Sequence, residues 1–337
     1  MKSVIKKTIL SLITLVFLYL VFLNLDFNLL IQNIKQFDLK YAFLLALSII
    51  FALSFRGICF KQLISQSINI PLKDSVPLCI TSASLNIVLP ARIGDLFRAF
   101  YVGQKYGVNK IKVFGAVMLE RIFDGLVILS MLLLGISLYN KNPLAQKLCI
   151  SAAAIFVKAL LISILAIKHN KIDLICKKIE EKTAFLPISI KNIFHSFLNF
   201  INRICNSFVS GFEILQHPKK LFFVTSASIG IWFFECLKYY ILIHGFGLDV
   251  NWSVVLFVIP FLALACMIPS TSIFVGPYQF AVISAFAIYG MPKETALAAS
   301  LLEQAIVTIL TSIVAVVFLI KNNISYKNIK EDINKTM

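Results

Sequence analysis

Two short stretches hold the residues best suited to chemistry. The first runs Asn86-Ile87-Val88-Leu89-Pro90-Ala91-Arg92-Ile93-Gly94-Asp95-Leu96-Phe97-Arg98. Pro90 ends an apolar run, and Gly94 permits a close backbone approach or an unusual turn. With a helix starting near Gly94, Asp95 falls in its first turn, where a carboxylate is favoured. Asp95 and Arg98 then share a face at i,i+3 and can pair. Two guanidiniums beside a turn, Arg92 and Arg98, suit a phosphate, because arginine bonds its oxygens in bidentate fashion. The plainer alternative stays open, in which both arginines follow the excess of basic residues in cytoplasmic loops.

The second stretch places Glu120, Arg121 and Asp124 within five positions of an apolar run. Glu120 and Asp124 are i,i+4, and Arg121 reaches Asp124 at i,i+3. Each such charge at a bilayer centre costs ~3 kcal/mol on insertion scales, so an interior network is expected rather than lipid exposure. Arg92 or Arg98 is the candidate to neutralise the two acids; otherwise one acid keeps its proton. Whether the network is a clamp or part of a pathway is open at this level. Elsewhere Glu235 and Lys238 are i,i+3 and expected to pair, while Arg56 and Lys61 near a span end are expected to snorkel. Lys158 has no assigned role.

These charges sit in an oily chain. Of 337 residues, 59% are apolar and 14% charged, against roughly 45–50% and about 25% in a soluble domain. Mean hydropathy is +0.88. A soluble domain and a disordered chain are both excluded, and an all-α polytopic membrane protein follows. The net charge of +16 then reads as orientation rather than nucleic-acid binding, with an anionic lipid surface as the electrostatic partner. Seven cysteines without C-x-x-C and four dispersed histidines predict neither a metal site nor another cofactor.

Six full spans are expected, at about 8–25, 39–60, 113–138, 148–168, 220–246 and 294–320. The first is read as an uncleaved helix. Two further stretches are apolar but broken: 75–90, with Pro77 and Pro90, and 252–289, with Pro260, Pro269, Gly276 and Pro277. If each broken stretch enters and leaves on one side, the minor side holds only Lys35, Lys40, Lys141, Lys147 and Lys293. The other side carries most of the 32 Lys and Arg and is cytoplasmic, with both termini. The linker 169–219 contains an amphipathic pattern, Ile190 to Phe212, that lies on the leaflet or packs on the protein's own loops. The whole is read as one membrane domain, 1–325, with a basic tail, 326–337.

The chain also repeats itself. Tyr106-Gly107 matches Tyr289-Gly290, Lys110 matches Lys293, and Glu120 matches Glu303 in one register. Upstream, Ser75-Val76 matches Ser253-Val254 and Leu89-Pro90 matches Ile268-Pro269. Units of helix, broken segment and helix at about 39–138 and 220–320 would be inverted by the charge count, as in many transporters. The second unit is poorer in charge: Gln304 stands opposite Arg121, and its hairpin offers Thr271 and Gly276 without a charged residue.

N-x-x-L-P-x-R-x-G-D at 86–95, Glu120-Arg121-x-x-Asp124 and the hairpin before Tyr289-Gly290 resemble the membrane region of lysylphosphatidylglycerol synthases and their stand-alone relatives, over about 5–320. The resemblance implies a lipid flippase with two re-entrant segments in the inner (cytoplasmic) membrane. A soluble aminoacyl-transferase domain, present in bifunctional members, is not seen here, so lipid aminoacylation is not expected. The second hairpin, Gly276-Pro277-Tyr278-Gln279-Phe280, departs from the family's extra glycines and charged pair.

The expected function is therefore binding or movement of an anionic phospholipid or lipid-linked headgroup. Asn86, Pro90, Arg92, Gly94, Asp95 and Arg98 on the first hairpin, Glu120, Arg121 and Asp124, and Glu303, Thr271 and Gly276 on the second unit would form the path. No Walker A sequence occurs, so movement would be passive or ion-coupled. Two alternatives stand beside it: a polytopic transferase acting on lipid-linked substrates, for which the extracytoplasmic acids are sparse, and a non-transporting membrane partner. A homo-oligomer is compatible with each.

Overall fold

The computed structural model describes residues 14–89, 92–138, 154, 158, 217–265 and 276–324, and every regular element among them is helical. In chain order they are α1 Thr14–Phe22, α2 Phe27–Gln36, α3 Leu39–Ile64, α4 Leu72–Val88, α5 Ile93–Tyr106, α6 Lys110–Leu138, α7 Pro218–Gly245, α8 Trp252–Ala265, α9 Pro277–Ala287 and α10 Lys293–Lys321. Among the described residues α3, α7 and α10 are long and apolar enough to cross a membrane, and α1 with α2 makes a fourth if the bent pair is one span. Helix α6 is as long as α10 but carries Glu120, Arg121 and Asp124. The expected span 148–168 (Ala154 and Lys158 apart), the linker pattern at 190–212 and the tail 326–337 lie outside the described residues.

Three expectations are corrected. The stretch between the first two expected spans is not all loop. Helix α1 ends at Phe22, within the expected 8–25, and α2 follows at 87° to it. Asp26 forces the new start by accepting from the amides of Asn28 and Leu29, an N-cap inside what the sequence presents as a loop. Nor do Pro77 and Pro260 break their stretches, since each lies within a helix, α4 and α8. Proline withholds one amide donor but is tolerated where neighbouring groups satisfy the freed carbonyls. In α4 the Thr81 hydroxyl donates to the carbonyl of Pro77 itself at 2.8 Å, one turn beyond the Lys73 carbonyl that the missing amide would have met. The third correction, to Arg56, belongs with the site.

The first hairpin, α4–α5, turns at Arg92, which holds a left-handed backbone (φ 52°, ψ 43°). Helix α5 then packs on α4 through Gly94, where an added Cβ would lie 1.9 Å from the Ser82 carbonyl oxygen. No residue but glycine fits there without moving the helices apart. The open end of the hairpin is latched. Lys105 Nζ lies 3.1 Å from Asp74 Oδ2, and the Tyr106 hydroxyl donates to the same oxygen. Burial opposes ionisation of Asp74, but the Tyr106 and Lys105 donors outweigh it and hold the carboxyl below its ordinary value. Partial burial and the Asp74 charge push the Tyr106 phenol up to about 12.

The helix contacts have an internal symmetry. Helix α3 packs along α7 in the most extensive contact among the described residues. Helix α4 packs on α10, and α8 on α6. Within each half the first helix touches the hairpin and the last helix, as α3–α4, α5–α6 and α3–α6 in one, and α7–α8, α9–α10 and α7–α10 in the other. Exchanging α3–α6 for α7–α10 maps these contacts onto each other. Apolar side chains on the outer face of α10, including Ile309, Ile313, Val316 and Ile320, are exposed, whereas Thr311, Ala315 and Phe318 on its other face are buried.

Candidate functional site

The charges of α3, α5 and α6 close into a ring. Arg56 Nη1 lies 2.8 Å from Glu120 Oε1 and 2.9 Å from Asp124 Oδ2. Glu120 Oε2 meets Arg98 Nη1 at 2.8 Å, and Arg98 Nη2 meets Asp95 Oδ1 at 3.0 Å. Asp95 also accepts from Arg121 Nη2 at 2.9 Å, and Arg121 Nη1 returns to Asp124 Oδ2 at 3.1 Å. Three guanidiniums and three carboxylates therefore alternate and neutralise one another. Two more donors hold the acids in place: Asn86 Nδ2 to Asp95 at 3.2 Å, and Trp232 Nε1 of α7 to Asp124 Oδ1 at 3.0 Å. Glu120 is fully buried, and Arg98 is 1% exposed.

Arg56 corrects the sequence reading. Its side chain does not snorkel to an interface. It is 16% exposed and turns inward to two acids on α6. A single cation opposite two carboxylates separated by one helical turn relieves their repulsion. Nothing local in the sequence identifies this partner, since Arg56 and Glu120 are 64 positions apart.

A second, sparser cluster joins α7, α9 and α10. Lys238 Nζ lies 2.7 Å from Glu303 Oε1 and 2.7 Å from Glu235 Oε2. The Tyr278 hydroxyl donates to Glu303 Oε2 at 2.6 Å and shares a hydrogen bond with the Tyr239 hydroxyl. Gln279, held by the Gly276 amide at 2.8 Å, donates to Gln304 at 2.6 Å. Glu303 thus receives a cation from the first helix of its half and a donor from its hairpin, as Glu120 does from Arg56 and Arg98.

Between the clusters lies a cavity of about 260 Å³, lined by Arg56, Arg92, Arg98, Arg121 and Lys238 and by a single acid, Glu235. Asn86 and Thr311 add polar atoms, and Ile49, Leu53, Ile87 and Val307 add apolar wall. Buried Arg98 Nε, Arg121 Nε and Asn86 Oδ1 have no hydrogen-bond partner among the described residues. A site with two spare guanidinium donors and five cationic side chains on its wall suits an anionic oxygen ligand. The family described as the lysylphosphatidylglycerol synthase TM region matches residues 7–315.

The chain belongs to that family. It is accordingly a multi-pass membrane protein, of a family named for the membrane region of a lipid synthase. No curated protein and no solved structure matches it. Of the residues singled out from the sequence, Arg92, Asn86, Arg98 and Arg121 line the cavity of this family member. Asp95, Glu120 and Asp124 stand behind it as the acids of the ring. Gly94 sets the α4–α5 contact, Glu303 anchors Lys238, and Gly276 caps α9 with φ 96°. Pro90 and Thr271 lie outside the described residues, and Lys158 is helical and exposed. Besides Arg56, the sequence reading missed Tyr278, Tyr239 and Trp232. Each is an aromatic in an apolar run, and only its polar tip marks it as more than packing. Among the described residues no group of three or more His, Cys, Asp or Glu is arranged to hold a metal ion.

Proposed function

We propose that this protein binds the headgroup of an anionic phospholipid in the cavity between its two halves and moves it across the bilayer, passively or coupled to an ion. The observation that carries the reading is the cavity wall itself. Five cations drawn from α3, the α4–α5 turn, α5, α6 and α7 converge on one space. That space admits a headgroup rather than a whole lipid, so the acyl chains would stay in the membrane. The halves 39–138 and 220–320 act as inverted units within one membrane domain, 1–325. The α4–α5 hairpin would dip in from the cytoplasmic side and α8–α9 from outside, with six full spans and both termini in the cytoplasm. The symmetric exchange of helix contacts supports that arrangement. The plasma membrane is the proposed location. No observation favours the transferase or partner-protein alternative.

Reconstitution tests the reading. Proteoliposomes carrying a fluorescent phosphatidylglycerol are treated with an impermeant quencher, and the fraction lost above one leaflet's share is measured. The intact protein is expected to bring both leaflets within reach. Arg92→Ala with Arg121→Gln is expected to abolish that gain. Equal loss in empty and loaded vesicles, or unaltered loss in the double variant, would refute the proposal.

A further inference from the structure

The charges around the cavity balance before any ligand enters. Arg56, Arg92, Arg98, Arg121 and Lys238 bring five positive charges to the wall. Asp95, Glu120 and Asp124 in the ring, with Glu235 and Glu303 on Lys238, bring five negative ones. Tyr239 and Tyr278 add neutral hydroxyls, Gln279 and Gln304 add amides, and α8 carries no titratable side chain. A phosphodiester entering this space adds one negative charge to described side chains that already balance. An uncompensated charge at membrane depth is costly, so something must offset it.

Glu235 is the group placed to do so. It is the one acid on the cavity wall, and its side chain is 29% exposed, whereas that of Glu303 is 8% exposed. Glu303 accepts on both oxygens, from Lys238 and from Tyr278. Glu235 is held by Lys238 alone among its described contacts. A phosphate oxygen arriving at the wall competes for that same ammonium and weakens the hold on Glu235 while leaving Glu303 clamped.

We propose that Glu235 is the proton site of the transport cycle, taking one proton from the aqueous phase as an anionic headgroup binds beside Lys238 and releasing it when the headgroup leaves. The inference rests on the lipid-transport reading and adds its coupling ion. The balance is one negative charge in with the phosphodiester and one proton onto a carboxylate oxygen, with no bond in the lipid made or broken. Lys238 remains an ammonium between Glu303 and the phosphate.

The test uses the purified full chain in weakly buffered detergent with dioctanoyl-phosphatidylglycerol, whose phosphate is ionised throughout. Binding is followed by calorimetry and proton uptake by a pH dye. Uptake of about one proton per bound lipid is expected, with affinity falling by up to about tenfold per unit as pH rises from 5 to 8. Glu235→Gln is expected to flatten that dependence and to bind at pH 8 at least as tightly as the parent, because the extra negative charge is already gone. Binding without proton uptake, or a slope that survives in Glu235→Gln, overturns the proton site and leaves the transport reading standing. Absence of binding at every pH overturns both. If Glu235→Gln does not fold, uptake by the parent protein decides alone.

Discussion

Arg56 and Lys238 hold the same place in the two halves of this protein. Arg56 projects from α3 to within 2.8 Å of Glu120, and Lys238 projects from α7 to within 2.7 Å of Glu303. In each case the second oxygen of the glutamate is taken by the hairpin of that half, through Arg98 in one and Tyr278 in the other. Where the first half continues with Arg121 and Asp95, the second substitutes Gln304 and Gln279. One half is thus a closed ionic ring, and the other keeps the plan with neutral donors. The weaker half is the better candidate to rearrange, because neutral hydrogen bonds are roughly half as strong as charge-assisted ones.

That difference yields a first prediction. Arg56→Ala strips a cation from two buried carboxylates at once and is expected to destabilise the fold by about 3–5 kcal/mol, the usual cost of orphaning one side of a buried pair. Tyr278→Phe removes one neutral donor and is expected to cost about 1–3 kcal/mol. Thermal unfolding in detergent, followed by circular dichroism, ranks the two. Equal midpoints would show that the ring is not the stiffer half.

Part of this site was legible in the sequence and part was not, for a physical reason. Asp95–Arg98, Arg121–Asp124 and Glu235–Lys238 are i,i+3 pairs, set by helical geometry alone. Arg56–Glu120 and Lys238–Glu303 depend on how distant helices pack, and no local spacing encodes that. The match of Glu120 with Glu303 was visible because the register runs on without a gap from Tyr106-Gly107 and Tyr289-Gly290, and both glycines adopt positive φ (67° and 77°) beyond their hairpin helices. Arg56 and Lys238 differ in residue type, so their equivalence emerges only from their partners. The helix ends followed apolar runs closely, but α2 was hidden because FNLLIQNIKQ mixes polar and apolar residues and depends on its Asp26 cap.

A second prediction concerns Gly94. A methyl there meets the Ser82 carbonyl oxygen at 1.9 Å, a backbone atom of another helix that cannot swing aside, and Asn86 Oδ1 at 2.8 Å. Gly94→Ala must therefore push α5 from α4 and carry Asp95 and Arg98 away from Arg121 and Glu120. Lost transport is expected together with a lowered unfolding midpoint. By contrast, Gly107→Asn is expected to be nearly silent, since nothing lies within 4 Å of a Cβ there and asparagine tolerates left-handed backbone. Quencher-accessible lipid measured for both variants checks the contrast.

The hairpin latch gives a pH prediction with a definite sign. Asp74 is held below its ordinary value, so its contribution is present above that value and is lost as pH falls through the lowered one. The Tyr106 phenol is pushed up to about 12, so its share holds below its ordinary value and is lost as pH rises towards 12. The raised ammonium of Lys105 acts in the same direction as Tyr106, its share being lost only at strongly alkaline pH. The latch is therefore constant from about pH 5 to 9. Limited proteolysis between Lys105 and Lys110 is expected to be flat across that range and to accelerate in Asp74→Asn. A change in cleavage within the range in the parent protein would contradict the assignment.

The last prediction uses one hydrogen bond between the two halves. Trp232 on α7 donates to Asp124 on α6 at 3.0 Å, so an indole of one half reports on the ring of the other. The chain holds 2 tryptophans, and the second, Trp252, stacks on Tyr240 at 4.7 Å, away from the ring. Trp252→Phe leaves Trp232 as the one indole and keeps an aromatic face for the stack. If headgroup binding opens the contact between the halves, the Trp232 donor exchanges a carboxylate for water and its emission shifts to longer wavelength. Adding dioctanoyl-phosphatidylglycerol to this variant is expected to produce that shift, and the uncharged-headgroup analogue dioctanoylglycerol is not. Asp124→Asn is expected to reproduce the shift without lipid, because it weakens the same hydrogen bond and leaves Arg56 with Glu120 alone. A Trp232 spectrum indifferent to both lipid and Asp124→Asn would mean that the two halves do not part along this contact.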